Sequence, residues 1–436
     1  MSAHAIERYL AGHAEPEAAE VTLGAQGLSH VLTVVAHDED VARFGLLETL
    51  PVGGGVLAIV LVNDRDDCGP DAIARTRAFH AGLLERYGPG RAAGGGATEH
   101  ATAFGALLLM RRSADTRPLP ARQGVGLARK IVCDVALSLA AGGQLETELI
   151  HVTDADAQLP SEYFERLAPR GGAPLSAVYP FVHVGDDPTL RSATMLHELW
   201  LRHYVVGLQR AGSPYAMHTI GSTLAISTGA YAAVRGFPRR HGAEDFYLLN
   251  KAAKVGPVER LGGAPITLRD RASDRVPFGT GPAVQRIVAG EAVAFHHPRC
   301  FELLAELLSG LRGLARDGGT EVELPSLLCP SLSAAHARRM VASTGIEGAL
   351  PAALARPDVE ARLRHLHDHF DALRTLKFVR GLREVGLPEQ PPMEAVVGLL
   401  GGGQSGVAEA LEGLRAVEAS ECRGDVGPTC RAIGDA

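Results

Sequence analysis

Val56-Leu57-Ala58-Ile59-Val60-Leu61-Val62 runs directly into Asn63-Asp64-Arg65-Asp66-Asp67. Seven successive apolar residues leave the segment no polar face, so it predicts a strand buried on both sides. The abrupt change to acids marks its carboxyl end. Val31-Leu32-Thr33-Val34-Val35 has the same form and stops at His37-Asp38-Glu39-Asp40. Segments 40–50 and 70–87 are compatible with helix, which makes the order β-α-β-α. That alternation predicts an α/β fold with a sheet of the doubly wound kind. Ligands of such sheets sit beyond the carboxyl ends of the strands, where both acidic clusters fall.

Working outward, the Gly-rich stretch 88–98 predicts a flexible loop, and 104–110 a further strand. A helix is expected from the glycines at 124 and 126 to about Ala141. Leu149-Ile150-His151-Val152-Thr153 predicts another strand. Asp187 and Pro188 suit the cap and first position of a helix over 187–210. Leu196, Leu199, Trp200, His203, Tyr204 and Leu208 fall on one stripe of it. A strand over 221–227 and a helix over 244–255 follow. From about residue 299 the pattern is helical, with one stripe at Leu304, Leu307, Leu308 and Leu311 and another at Val359, Leu363, Leu366, Phe370 and Leu373. The expected organisation is an N-terminal arm or helix over 1–30, a core domain over 31–298 and a C-terminal α-helical region over 299–436. The helical tail has three open uses: packing on the core, forming a homodimer, or presenting an acceptor.

The chain has 436 residues, a net charge of −7 and one tryptophan. It carries no basic field and few stacking aromatics, which argues against a nucleic-acid partner. No apolar run is long enough for a transmembrane segment, and the N-terminus does not read as a secretory signal. The six cysteines form no CxxC. Cys422 and Cys430 are near enough in sequence to pair, but free thiols and a cytoplasmic location are expected.

Three segments carry chemistry. Asp154-Ala155-Asp156 leaves a strand and is followed by Pro160. Two carboxylates at that spacing can converge on a hard divalent cation, Mn²⁺ or Mg²⁺, and bridge it to a diphosphate. An isolated Asp-x-Asp is common, and its position directly after an apolar strand gives it weight. Glu244-Asp245 opens a helix; one acid can cap it, and a carboxylate placed there can take a proton from a hydroxyl. Gly124-Val125-Gly126, with Arg129 and Lys130 behind it, suits close backbone approach to a diphosphate or nucleoside, without the third glycine of a dinucleotide fingerprint.

The order of these motifs resembles that of family-2 inverting glycosyltransferases. Ala36-His37-Asp38-Glu39 looks like the family's Ala-His-Asn-Glu after the first strand, with Asp38 in place of Asn. Asn63-Asp64 resembles its Asp-Asp pair, and Gly124 to Lys130 its Gly-x-x-x-Ala-Arg-Asn segment. Asp154-Ala155-Asp156 resembles its metal motif. Gly221-Ser222-Thr223, Arg235-Gly236-Phe237-Pro238 and Glu244-Asp245 resemble the stretch that ends in its Glu-Asp motif. The resemblance spans roughly residues 30 to 270. It implies a GT-A-type fold, a mixed, mostly parallel sheet flanked by helices with a Rossmann-like nucleotide-binding half. It also implies a metal-dependent, hexosyltransferase-like enzyme that moves a sugar from a nucleotide-diphosphate donor to a hydroxyl acceptor. That acceptor is a glycan, a lipid-linked molecule or a small molecule.

Residue by residue, the resemblance implies that Asp64 contacts the nucleobase and that Ala36 and Glu39 line the nucleoside pocket. Arg129 would lie near the diphosphate or ribose, Asp154 near the ribose or sugar, and Asp156 on the metal. Asp245 would be the general base, with Glu244 positioning it or the acceptor. The Gln-x-x-Arg-Trp motif of processive synthases is missing, so single transfer is expected. In its place, Asp270-Arg271 and Asp274-Arg275 stand in a Gly-rich stretch, with Arg275 favoured as a lid cation over the diphosphate. His297, His296 and Asp274 compete as a further metal ligand. His365 and His369 share a helix face without an evident third zinc ligand. Trp200, Tyr204, Tyr215 and His218 are acceptor-stacking candidates, with plain core packing as the commoner fate. Two other functions compete: a sugar-phosphate nucleotidyltransferase, which lacks its glycine-rich loop after the first strand, and a non-catalytic nucleotide-sugar-binding module.

Overall fold

A computed structural model describes residues 3–168, 171, 173–271, 275, 277, 279–317 and 323–421. Asp274, Cys422 and Cys430 lie outside the described residues. The strands are β1 (His30–Ala36), β2 (Val56–Asn63), β3 (Arg91–Gly94), β4 (Ala97–Thr102), β5 (Gly105–Arg112), β6 (Leu149–Asp154), β7 (Ala157–Gln158), β8 (Ser176–Val178), β9 (Phe181–Val184), β10 (Leu224–Ser227), β11 (Val258–Arg260) and β12 (Ile266–Arg269). Nine of them form one mixed sheet in the order β11-β8-β10-β6-β1-β2-β5-β4-β3. Its centre, β6-β1-β2-β5, is parallel. Every residue of β2 is buried, which is why its sequence shows no alternation. A small second sheet runs β7-β12-β9.

Helices α1 (Ala3–Gly12), α2 (Glu17–Glu20), α3 (Pro70–Tyr87), α4 (Gly124–Ala141), α5 (Pro188–Arg210), α6 (Thr228–Ala233), α7 (Glu244–Val255) and α8 (Thr280–Val288) accompany the strands. The start of α5 is as its sequence predicts: Asp187 Oδ1 accepts the N–H groups of Thr189 and Leu190, at 2.8 and 3.1 Å, and Pro188 is the first residue. Helix α4 packs on β1, β2 and α2, and most of its residues are buried.

Several local expectations change. The Gly-rich stretch 88–98 holds the start of a hairpin, β3 paired antiparallel with β4. Gly94, Gly95 and Gly96 all have positive φ, so the glycines that read as a loop supply its turn. The segment 40–50 forms two 3₁₀ turns, Val41–Arg43 and Leu46–Thr49, instead of an α-helix. The stripe from Val359 to Leu373 is divided between two helices, because Asp371 starts a new one by capping the Arg374 N–H.

The chain divides into two compact units, residues 1–191 with 219–285, and residues 192–218 with 286–436. The boundaries therefore fall elsewhere than 30 and 298. The N-terminal arm belongs to the first unit, where α1 and α2 lie against α4. The second unit is helical: part of α5, then α9 (Arg299–Asp317), α10 (Leu324–Leu328), α11 (Ala334–Thr344), α12 (Ile346–Leu354), α13 (Val359–His369), α14 (Ala372–Gly381), α15 (Pro392–Leu400) and α16 (Val407–Glu421). Leu304, Leu307, Leu308 and Leu311 of α9 are buried in its core together with Leu199 and Val206 of α5. Residues 192–218 join this unit because their apolar stripe belongs to that core. No helix among the described residues is long and apolar enough to cross a membrane.

Candidate functional site

The first unit gathers its acidic groups at the carboxyl ends of β1, β2 and β6 and at the start of α7. One buried guanidinium ties two of these groups together. Arg129, in the second turn of α4, donates through Nη2 to Asp154 Oδ1 at 2.6 Å and through Nη1 to Glu244 Oε1. Asp154 ends β6, and Glu244 opens α7. The fork has room only because residue 221 is glycine. A Cβ there would stand 1.8 Å from Arg129 Nη1 and 2.2 Å from Cζ.

A second cluster lies around Glu39. Arg271 Nη1 donates to both Glu39 oxygens at 3.1 Å, and its Nη2 lies 3.2 Å from Asp156 Oδ2. Arg275 Nη1 donates to Glu39 Oε1 at 2.7 Å and to the carbonyls of His37 and Asp38. Glu39, Asp156 and Arg271 line a cleft of about 830 Å³, whose wall also includes Phe44, Phe79 and Asp187. That volume suits a ligand of nucleotide-sugar size. Asp38, at the mouth, has φ +56, and Ala243, just before Glu244, has φ +58. Two of the three non-glycine residues with positive φ among those described therefore flank the acids. Asp, like Asn, tolerates that conformation, which explains why either residue type suits position 38.

Charge is unbalanced here. Glu39, Asp154, Asp156, Glu244 and Asp245 are five carboxyl groups, and Arg129, Arg271 and Arg275 are three guanidiniums. Burial raises the pKa of Glu39 and of Asp156; Arg271 opposes both shifts, and neighbouring carboxylates add to them. Burial likewise raises Glu244, opposed by Arg129 and reinforced by Asp245. Asp245 is raised by burial; Arg129 and the backbone N–H groups of Phe246 and Gly221 offset this in part. Burial disfavours the charge of Arg129, but Asp154, Glu244 and Asp245 overcome it and raise its pKa. A site with excess carboxylate in low dielectric either holds protons or attracts cations.

Two local roles differ from their sequence reading. Neither acid of Glu244-Asp245 caps α7: the cap position is Ala243, whose side chain makes no hydrogen bond there. Asp245 Oδ1 accepts the adjacent Phe246 N–H at 2.7 Å, and Glu244 turns to Arg129. The glycines at 124 and 126 do not open space for a phosphate. A Cβ on Gly126 would meet the carbonyl oxygens of Pro238 and Arg240 at 2.4 and 2.5 Å, and one on Gly124 would meet His241. They let the chain at 238–241 lie across the start of α4, with the Gly126 N–H donating to the Arg240 carbonyl.

Asp64 follows β2 and is buried. Its Oδ2 accepts the Ala114 N–H at 3.2 Å, while Oδ1 has no partner. Ala36 closes β1, paired with Val62. His297 belongs to the second unit, where its Nδ1 accepts the Arg299 N–H at 3.0 Å at the start of α9. His296 is buried there beside Tyr204 and Phe301, and burial lowers its pKa to about 4. His369 Nε2 lies 3.1 Å from the Thr344 carbonyl, and His365 Nδ1 lies 3.4 Å from Arg356 Nη2 at the surface. Trp200 and Tyr204 pack against the core of the second unit, and the Tyr215 hydroxyl donates to the His367 carbonyl. The sequence offered both arginines of this stretch and favoured Arg275; Arg271 is the one that also reaches Asp156. A basic residue directly after Asp270 at the end of β12 was the available signal.

No protein-family model matches this chain, and no curated protein matches it.

Proposed function

We propose that the chain is a metal-dependent glycosyltransferase that moves a sugar from a nucleoside-diphosphate donor to a hydroxyl acceptor, once per encounter and with inversion. One observation carries this reading. The Asp154–Asp156 turn and the Glu244–Asp245 helix start, far apart in sequence, meet at the Arg129 guanidinium. That convergence supports reading the two acidic pairs together, beside the carboxyl ends of the parallel strands β1, β2 and β6.

The donor set fits a hard divalent cation, since the residues offered are carboxylate oxygens in excess of the local guanidiniums. Asp154 and Asp156 would hold Mn²⁺ or Mg²⁺, which would offset charge on the departing diphosphate. Arg271 and Arg275 now satisfy Glu39 and Asp156; a bound diphosphate offers them a stronger bidentate partner. Asp64 keeps one oxygen for the donor, and its free lone pair fits the N–H of a nucleobase. Asp245 takes the acceptor proton. Its raised pKa makes it a better base than an exposed carboxylate, and Arg129 holds Glu244 beside it. Attack from the face opposite the diphosphate inverts the anomeric centre.

The test is transfer from UDP-, GDP- and dTDP-sugars with manganese, the donor first chosen by thermal shift. Asp245→Asn is expected to lower transfer by roughly 10²–10⁴-fold with the fold intact, and Asp156→Ala to abolish the manganese dependence. Full activity in Asp245→Asn would remove the assignment. Release of pyrophosphate from a nucleoside triphosphate and a sugar phosphate would favour nucleotidyl transfer instead.

A further inference from the structure

His37, Asp64 and Cys68 stand together just beyond the carboxyl ends of β1 and β2. Their potential ligand atoms all lie within 4.8 Å of one another, a grouping of three His, Cys, Asp or Glu side chains found nowhere else among the described residues. His37 Nδ1 lies 2.9 Å from the Asn63 carbonyl. A carbonyl only accepts, so Nδ1 carries the proton and Nε2 presents its lone pair. That Nε2 faces Cys68 Sγ at 3.7 Å. An imidazole nitrogen and a thiolate sulfur bound to one tetrahedral zinc ion stand about 3.5 Å apart, given the usual bond lengths. The pair is therefore close to ligand spacing.

Two further details favour an ion there. Asp64 is buried, and its Oδ1 has no partner, a cost that a cation would remove. Burial raises the pKa of the Cys68 thiol, and the Arg65 N–H, which donates to its sulfur at 3.3 Å, offsets that rise only in part. The contact of His37 with the Asn63 carbonyl is the support that ligating imidazoles usually have on their other nitrogen. His37 and Cys68 are half-buried, which leaves an entry path and a fourth position for water.

We propose that His37, Asp64 and Cys68 form a three-ligand zinc site, distinct in chemistry from the all-carboxylate turn at Asp154 and Asp156. Imidazole and thiolate select zinc over magnesium or manganese. Binding releases the Cys68 proton to solvent and forms the zinc–sulfur bond. A bound ion also engages Asp64, so zinc competes with the donor nucleobase; that clause alone rests on the glycosyltransferase reading.

The full chain, reduced and stripped of metal, is titrated with Co²⁺ without nucleotide. One equivalent should bind with a sulfur-to-cobalt charge-transfer band in the near ultraviolet, and Zn²⁺ should displace it. Cys68→Ser should lose the band, and His37→Gln should weaken binding by at least about tenfold, with melting temperatures of the metal-free proteins near that of the parent. Absence of the band in the parent chain overturns the proposal without any variant. A band undiminished in Cys68→Ser assigns the sulfur to another cysteine and overturns it equally. Donor binding, measured separately on metal-free protein, tests the transferase reading whatever the cobalt result.

Discussion

Arg129 and Lys130 are adjacent on α4, both buried and both paired with carboxylates, yet their surroundings differ in kind. Lys130 Nζ donates to Asp134 Oδ2 at 2.8 Å and to the Tyr9 hydroxyl at 2.5 Å. Tyr9 and Tyr231 donate to Asp134 Oδ1, and the Glu15 N–H donates to Oδ2. One ammonium meets one carboxylate, and the carboxylate oxygens are fully occupied. One residue earlier, Arg129 faces Asp154, Glu244 and Asp245, with Asp156, Glu39 and two more guanidiniums nearby. That cluster has carboxyl groups to spare, raised pKa values and a cleft beside it. A closed polar network holds α1 to the sheet domain. An open one has capacity for a proton, a cation or a diphosphate. Burial and ion pairing alone do not separate the two; charge balance and access do.

Breaking the closed network should cost most. Asp134→Ala leaves the Lys130 ammonium buried without its carboxylate, and urea denaturation should show a loss of about 3–5 kcal/mol. A loss under about 1 kcal/mol would mean that Lys130 finds water, and the contrast with Arg129 would dissolve. Gly221→Ala attacks the open side. Its methyl group overlaps the Arg129 guanidinium, so a destabilisation of about 1–3 kcal/mol is expected, together with loss of the nucleotide-sugar thermal shift. Unchanged stability and binding would show that Arg129 does not occupy that place.

The smallest effect is a matter of sign. Burial raises the Glu39 pKa above its ordinary 4.5, so the folded state favours the protonated form. The stability that this group contributes is present at low pH and is lost as pH rises through its folded-state pKa. Glu39→Gln mimics the protonated form. Its melting temperature should match the parent near about pH 5 and exceed it near about pH 8, by the equivalent of about 1 kcal/mol. The opposite sign would show that Arg271 and Arg275 outweigh burial, and the site would then be balanced like the Lys130 network.

Much of this was legible along the chain. The apolar runs of β1 and β2 identify buried parallel strands, 149–153 reads as a further strand, and acids follow all three. Helices α4, α5 and α7 begin where glycine, Asp187-Pro188 and Glu244 place them. These features depend on contiguous residues, so periodicity and punctuation record them directly. The hairpin at β3 and β4 was hidden because glycine reads equally as loop and as turn.

What no local pattern carries is the partner of each charged side chain. The α/β class, the strand-end acids and the candidate residues Asp154, Asp156, Glu244 and Asp245 were determined by sequence alone. Tertiary structure decided that Arg129 bridges Asp154 and Glu244 while Lys130 turns to Asp134. It decided that Arg271 pairs with Asp156, that the glycines at 124 and 126 admit the chain at 238–241, and that residues 192–218 pack with the C-terminal helices. Each of these depends on atoms delivered from separate elements to within a few ångströms, and an ion pair is set by that three-dimensional distance rather than by separation along the chain.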